Sequence, residues 1–240
     1  MKKIILVMLL VLMPTIALAE EPATEQPVAE EPAAKKPSAV EPAAEKPAAD
    51  RPHWSIEVKG GDFIPDIANW SQNYGKRYTY EYGGALAYKI LRPLEVGIEA
   101  SYIEDIGQGL APLHNRLSGK VTYTLYPVNA FVLVRGIFSE RQWIVPYVGG
   151  GWSQIFYEEQ VEDQGTARGR ARGYNGRVGV QFLLDGLDPS AADKFYLDDG
   201  VYHTYFFIEA ERTRAMIDTL SGDTVNLGGT GWRGGLLIEF

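Results

Sequence analysis

Thr230-Gly-Trp-Arg-Gly-Gly-Leu-Leu-Ile-Glu-Phe240 ends the chain, and its alternation governs how the rest is read. One face carries Thr230, Trp232, Gly234, Leu236, Ile238 and Phe240, mostly apolar and aromatic. The other carries Gly231, Arg233, Gly235, Leu237 and Glu239, small or charged apart from the leucine. A period of two is the mark of a strand, because successive side chains leave the pleated backbone on opposite sides. The stretch has about the length that a tilted strand needs to cross a bilayer. The same pattern also fits an edge strand of a soluble sandwich, so the remaining chain has to decide.

The chain has 240 residues, enough for one large β domain, and no cysteine, which excludes a disulfide scaffold, thiol catalysis and Cys-ligated metal. Its 26 glycines, 14 tyrosines and five tryptophans suit a turn-rich β chain with aromatic belts. A net charge of −8 argues against nucleic-acid binding. Lys2 and Lys3, the apolar run Ile4 to Met13 and the small-x-small triplet Ala17-Leu18-Ala19 predict a secretory signal peptide over 1–19. No later stretch is apolar and long enough for a transmembrane helix, so an exported chain of this kind is periplasmic, secreted or a barrel. Residues 20–52 place proline at 22, 27, 32, 37, 42, 47 and 52, with eight acidic and four basic residues and almost nothing apolar larger than valine. Such a segment has no core to form and reads as a disordered, solvated spacer, of which residues 22–52 would reach about 95 Å if fully extended.

From residue 53 onward the alternation of the last stretch recurs. Trp54, Ile56 and Val58 oppose Glu57 and Lys59, and the tyrosine-rich run Tyr78 to Ile90 opposes Glu81 and Lys89. After the turn at Arg92-Pro93, Leu94 to Tyr102 opposes Glu95 and Glu99. Leu117, Gly119, Val121, Tyr123 and Leu125 read as a lipid-facing set opposite Ser118, Lys120 and Thr122. Residues 127–142 leave two readings open, a bulged continuation of the fourth strand or a separate excursion. A fifth strand spans Trp143 to Tyr157, a polar loop Glu158 to Gly173, and a sixth strand Tyr174 to Leu184 with Arg177 inward. A long connection, 185–200, leads to a seventh strand with Glu209 and Glu211 inward. The predicted fold is all-β: an eight-stranded antiparallel up-and-down transmembrane β-barrel over 53–240. Ten strands would require 130–138 and 194–200 to pair as well.

Pro-Tyr-Val-Gly-Gly-Gly-Trp at 146–152, Leu227-Gly228-Gly229 and the terminal Phe240 resemble the small OmpA-like and OmpW-like outer-membrane barrel superfamily. The resemblance implies a bacterial outer-membrane location with the spacer in the periplasm. It implies contact with outer-membrane lipids and lipopolysaccharide, and a final strand read by the barrel assembly machinery through Trp232, Leu236, Ile238 and Phe240. The spacer could also reach peptidoglycan or a periplasmic protein. A peptidoglycan-binding domain of the OmpA type is not expected after residue 240.

On this register the inward face gathers Glu57, Lys59, Glu81, Lys89, Glu95, Glu99, Lys120, Arg177, Glu209, Glu211, Arg233 and Glu239. An eight-stranded barrel is only wide enough for its side chains to fill. Buried charges are tolerated when paired, so these residues predict an ion-pair network that plugs the lumen. The outward aromatics Trp54, Tyr78, Tyr80, Tyr88, Tyr102, Tyr123, Trp232 and Phe240 predict interfacial girdles. No catalytic, cofactor or metal set is recognised. His53, His114 and His203 lie in no zinc spacing, and Gly149-Gly150-Gly151 lacks the Lys-Ser/Thr of a phosphate loop. His203, Thr204 and Glu209 are the nearest approach to a hydrolytic set, but His203 and Thr204 leave opposite faces of a strand. Arg168, Arg170 and Arg172 alternate and would share one face if extended, a pattern suited to lipopolysaccharide phosphates. The expected role is a non-enzymatic envelope barrel with a structural or surface-interaction function. The alternatives are OmpW-like passage of small hydrophobic solutes and, third, a lipid A-modifying enzyme.

Overall fold

A computed structural model describes residues 52–240 except 69, 111–116, 140–141, 163–164 and 219–223. The predicted signal peptide, nearly all of the predicted spacer, His114 and Ser221-Gly222-Asp223 therefore lie outside the described residues. The strands are β1 (Trp54–Pro65), β2 (Thr79–Leu91), β3 (Leu94–Leu110), β4 (Leu117–Arg135), β5 (Ile144–Val161), β6 (Gly165–Leu183), β7 (His203–Asp218), the short β8 (Thr224–Asn226) and β9 (Gly229–Glu239). Each pairs antiparallel with its neighbour from β1 to β7, and β7 pairs with β9. Closure comes from β1 against β9, running from Ser55↔Glu239 to Pro65↔Gly229. β8 continues β9 towards the far end and pairs only with β7, so the barrel has eight staves. The terminal strand thus closes the barrel on the strand that starts at Trp54.

Closure removes both sheet edges, which is what allows a sheet to sit in lipid with every ladder satisfied. The outward face is apolar around the barrel: Val58, Ile98, Val148, Val178, Ile208 and Leu236 are all exposed. An apolar wall of that extent is unfavourable in water and favourable against acyl chains. The strands are unequal, β1 having 12 residues and β4 having 19. β3 to β7 therefore rise well beyond β1 at the end opposite the termini, here called the far end.

Of the two readings left open for 127–142 the continuation of the fourth strand holds as far as Arg135, and three other features differ from the sequence reading. β4 is one continuous strand through 127–135, paired with β5 from Val121↔Val161 to Arg135↔Tyr147. Pro127 fits because the β3–β4 ladder skips from Ala100↔Val128 to Ile103↔Leu125, so its missing N–H removes no bond there. The facing of β4 in its first half is the opposite of that expected: Val121, Tyr123 and Leu125 face the lumen, and Tyr123 is completely buried rather than part of a girdle. The Glu158–Gly173 stretch is not a loop; β5 and β6 pair up to Val161↔Gly165. The long connections contain helices. α1 (Trp70–Tyr74) lies between β1 and β2, and α2 (Pro189–Asp199) lies between β6 and β7. α2 starts with Asp188 accepting from the Ala191 N–H and proline in the first turn, and ends at Gly200 with φ 71°. With 130–135 inside β4 and 194–199 in a helix, the ten-strand alternative fails.

Candidate functional site

The lumen has two storeys. The first is mainly ionic and occupies the middle and the end near the termini, where an apolar cluster of Val145, Leu183, Tyr205, Phe207 and Leu237 accompanies it. Glu57 and Lys59 come from β1, Glu81 and Lys89 from β2, Glu95 and Glu99 from β3, Arg177 from β6, Glu209 and Glu211 from β7, and Arg233 and Glu239 from β9; all are buried. Strand alternation alone aims them inward, since each sits on the face opposite the apolar wall. Lys120 does not join them. It is exposed at the far end, because β4 presents its odd-numbered residues to the lumen. The cation that β4 contributes is Arg135, fully buried, which sequence reading missed because it stood in an unassigned segment.

In the mid-lumen cluster, five carboxylates share three cations. Lys59 Nζ donates to Glu99 at 2.5 Å and to Glu209 at 3.0 Å, with Glu57 at 3.7 Å. Arg177 reaches Glu99 at 2.6 Å and Glu211 at 3.1 Å, and its guanidinium lies 4.5 Å from the Phe131 ring centre. Arg233 is the hub, donating to Glu81 at 3.1 Å and Glu99 at 3.0 Å, with Glu209 at 3.3 Å and Glu211 also in contact. Tyr147 and Asn129 donate to Glu209 and Glu99. A second cluster closes the near end: Arg135 donates to Glu95 at 2.7 Å and to Glu239, and Lys89 lies 2.6 Å from Glu239. Glu99, Glu209 and Glu211 stand close enough to hold a metal ion by spacing alone. Lys59, Arg177 and Arg233 already bring positive charge to those oxygens, so the group reads as an ion-pair core.

The second storey is apolar. Toward the far end, Phe63, Ile103, Tyr123, Leu125, Ile155 and Leu227 line the lumen, and α1 drops Trp70 and Tyr74 onto them. The Trp70 and Tyr74 rings stack at 3.9 Å, and Trp70 meets the Tyr123 ring edge-on at 5.7 Å. Asp66 ties the incoming end of this segment to Arg212 at 2.5 Å and to Asn226 at 2.8 Å. Lys76 ties the outgoing end to Asp105 at 3.2 Å. Burial pushes the Tyr74 phenol well above its ordinary range, and Glu159 and Asp105 add to that. Between the storeys lies a void of about 10 Å³, lined in part by Phe63, Glu81, Pro127 and Arg233. That is room for roughly one water.

The other sequence candidates fall outside the lumen. Arg168, Arg170 and Arg172 stand on β6 with their side chains exposed on the outer wall. Arg168 donates to Glu158 at 3.0 Å. His203 does not meet Glu209. Its Nδ1 lies 2.7 Å from Asp185 at the near-end rim, while Glu209 belongs to the mid-lumen cluster. Trp232, Leu236 and Phe240 are exposed on the outer face of β9.

A closed eight-stranded barrel with an apolar outside and a charged inside defines a small transmembrane β-barrel. The known proteins it resembles are of that kind. The neisserial surface protein A structure aligns with a TM-score of 0.52 at 10% identity, covering 78% of this chain and 97% of that one. The N-terminal barrel domain of Pseudomonas aeruginosa OprF aligns at 0.42 and 12% identity, covering 79% and 100%. Ail of Yersinia pestis, in complex with a heparin analogue, aligns at 0.42 and 12% identity, covering 78% and 99%. No family model and no curated protein matches. The likeness to the neisserial barrel establishes the fold of the small outer-membrane barrels, and nothing finer.

Proposed function

We propose that this chain is a non-enzymatic, non-conducting integral barrel of the bacterial outer membrane, with a structural or surface-interaction role. The end of the barrel that carries Trp54 and Phe240 faces the periplasm, so that the Pro-rich residues 20–52 belong to that compartment, and the far end faces outward. The observation that carries this reading is the doubly blocked lumen: a buried ion-pair core below and an aromatic plug above. A transport pore needs a continuous polar path, and the space between the two storeys is about 10 Å³. Asp185 meets His203 Nδ1 and also accepts from the Thr204 N–H, which supports a role for this pair in bracing the rim. The test is planar-bilayer recording with full-length protein that a heat-modifiability gel has established as inserted. The expected result is no porin-like conductance; stable large unitary currents would overturn the reading.

One observation favours a second reading. The far-end storey is apolar, as an entry for small hydrophobic solutes would be. Displacement of α1 would open it, but the ionic core beneath would then have to be bypassed through the wall. Saturable uptake of a hydrophobic dye into proteoliposomes, lost when α1 is cross-linked to β3, would replace the first reading with this one.

A further inference from the structure

We propose that Arg170, Arg172 and Arg214 form a binding site for the phosphate groups of an anionic lipid in the outer leaflet. The site lies on the outer wall at the β6–β7 seam. The inference rests on the membrane-spanning reading above, with the far end outward.

Arg170 and Arg172 are two residues apart on β6 and therefore leave the same face. Arg214 comes from β7, opposite Tyr174, while Met216 stands opposite Arg172. Arg172 and Arg214 are thus diagonal cross-strand neighbours, about 7 Å apart at Cβ and within reach of two long side chains. All three side chains are exposed, and none makes an ion pair with another described residue. The neighbouring arginines differ. Arg168 is held by Glu158 and Arg212 by Asp66, so their charge is already answered. Around the free three, the cross-strand partners are neutral: Phe156 opposite Arg170, and Gln154 opposite Arg172.

Depth supports the assignment. Below the arginines, the same face of β6 carries Tyr174, Gly176, Val178, Val180 and Phe182. The cations begin where the apolar, lipid-facing run ends, at an aromatic ring of the kind found at headgroup level. Three unanswered guanidinium groups at that depth meet phosphates in the outer leaflet, and lipopolysaccharide carries them there. The planar fork of each group matches two phosphate oxygens at once.

Full-length protein, with insertion verified by heat-modifiability, is incubated with vesicles containing diphosphorylated lipid A or its dephosphorylated form. Retained lipid is read by native mass spectrometry. The Arg170→Ala/Arg172→Ala/Arg214→Ala variant should retain roughly tenfold less diphosphorylated lipid A, and Arg168→Ala about as much as the native chain. Dephosphorylated lipid A should bind the native chain as weakly as the triple variant binds the intact lipid. The triple lysine variant should fall between, because a point charge replaces the fork. Equal retention by the inserted triple-alanine variant would overturn the site. Soluble inorganic polyphosphate that displaces the lipid with the same arginine dependence would overturn the lipid as its source. A chain that never becomes heat-modifiable would overturn both this and the membrane reading, and is told apart because the insertion gel fails first.

Discussion

The same inward face of the same strands supports two different interiors. In the mid-lumen it carries Glu57, Lys59, Glu99, Arg177, Glu209 and Arg233. A few residues further along, it carries Phe63, Ile103, Tyr123, Leu125 and Ile155. The ionic storey is made by the barrel wall alone: its groups meet partners on neighbouring strands, as Arg177 meets Glu211, and across the lumen, as Arg233 meets Glu99. The apolar storey cannot be completed by the wall and takes α1 from outside the strand set to fill it. The first is a rigid property of closure, and the second is a docked part. Removing one member should therefore have different consequences in the two places.

The largest effect is expected from Arg233→Ala. It would strip Glu81, Glu99, Glu209 and Glu211 of their common cation. Breaking a buried network from one side costs about 3–5 kcal/mol, because the remaining charges stay uncompensated. The urea midpoint for unfolding from a bilayer should fall accordingly. A midpoint within error of the native chain would mean that water enters the core and that the two storeys are less distinct than described.

Trp70→Ala should come next, at about 3 kcal/mol, the usual cost of losing a buried aromatic ring. The loss should fall on the seating of α1 rather than on the barrel. The check is limited proteolysis: cleavage within residues 66–78 should rise while the heat-modifiable band persists. Loss of that band together with the new cleavage would show that the plug and the wall fold as one unit.

Tyr123→Phe sharpens the contrast from the other side. The Tyr123 hydroxyl is buried and has no hydrogen-bond partner among the described residues. Removing it should leave stability unchanged or raise it by up to about 1 kcal/mol. A clear loss in the same urea titration would reveal a polar interior in the far-end storey. The smallest effect belongs to Arg168→Ala on the outer wall, where the pair with Glu158 is solvent-exposed. No measurable shift of the unfolding midpoint is expected, since exposed ion pairs contribute little.

Alternation made the wall legible wherever one side of a strand faces lipid and the other faces charge. That holds for β1, β2, the near half of β3, β6 from Tyr174 onward, β7 and β9, and it is why the inward acids and most of the inward bases could be named. The rule misled in β4. Near Val121, Tyr123 and Leu125 both sides of the strand differ from the mid-lumen, and an apolar residue there reports the plug, not the bilayer. Lys120 was placed inside for that reason, and Arg135 went unnoticed. At Glu158–Gly173 the alternation is of charged with small residues, because this hairpin stands beyond the apolar band, and so it read as a loop.

The sequence by itself pointed to a barrel through an even set of period-two segments that ends in an aromatic strand. These are local signals, set by the pleat and by what each face must meet. Which cation answers which carboxylate, how far the walls rise, and that Trp70 and Tyr74 turn back into the mouth were decided only by closure. Those contacts join residues such as Arg233 and Glu81, or Asp66 and Arg212, that lie far apart in the chain. No local pattern records such a meeting, because its energy exists only once the last strand has met the first.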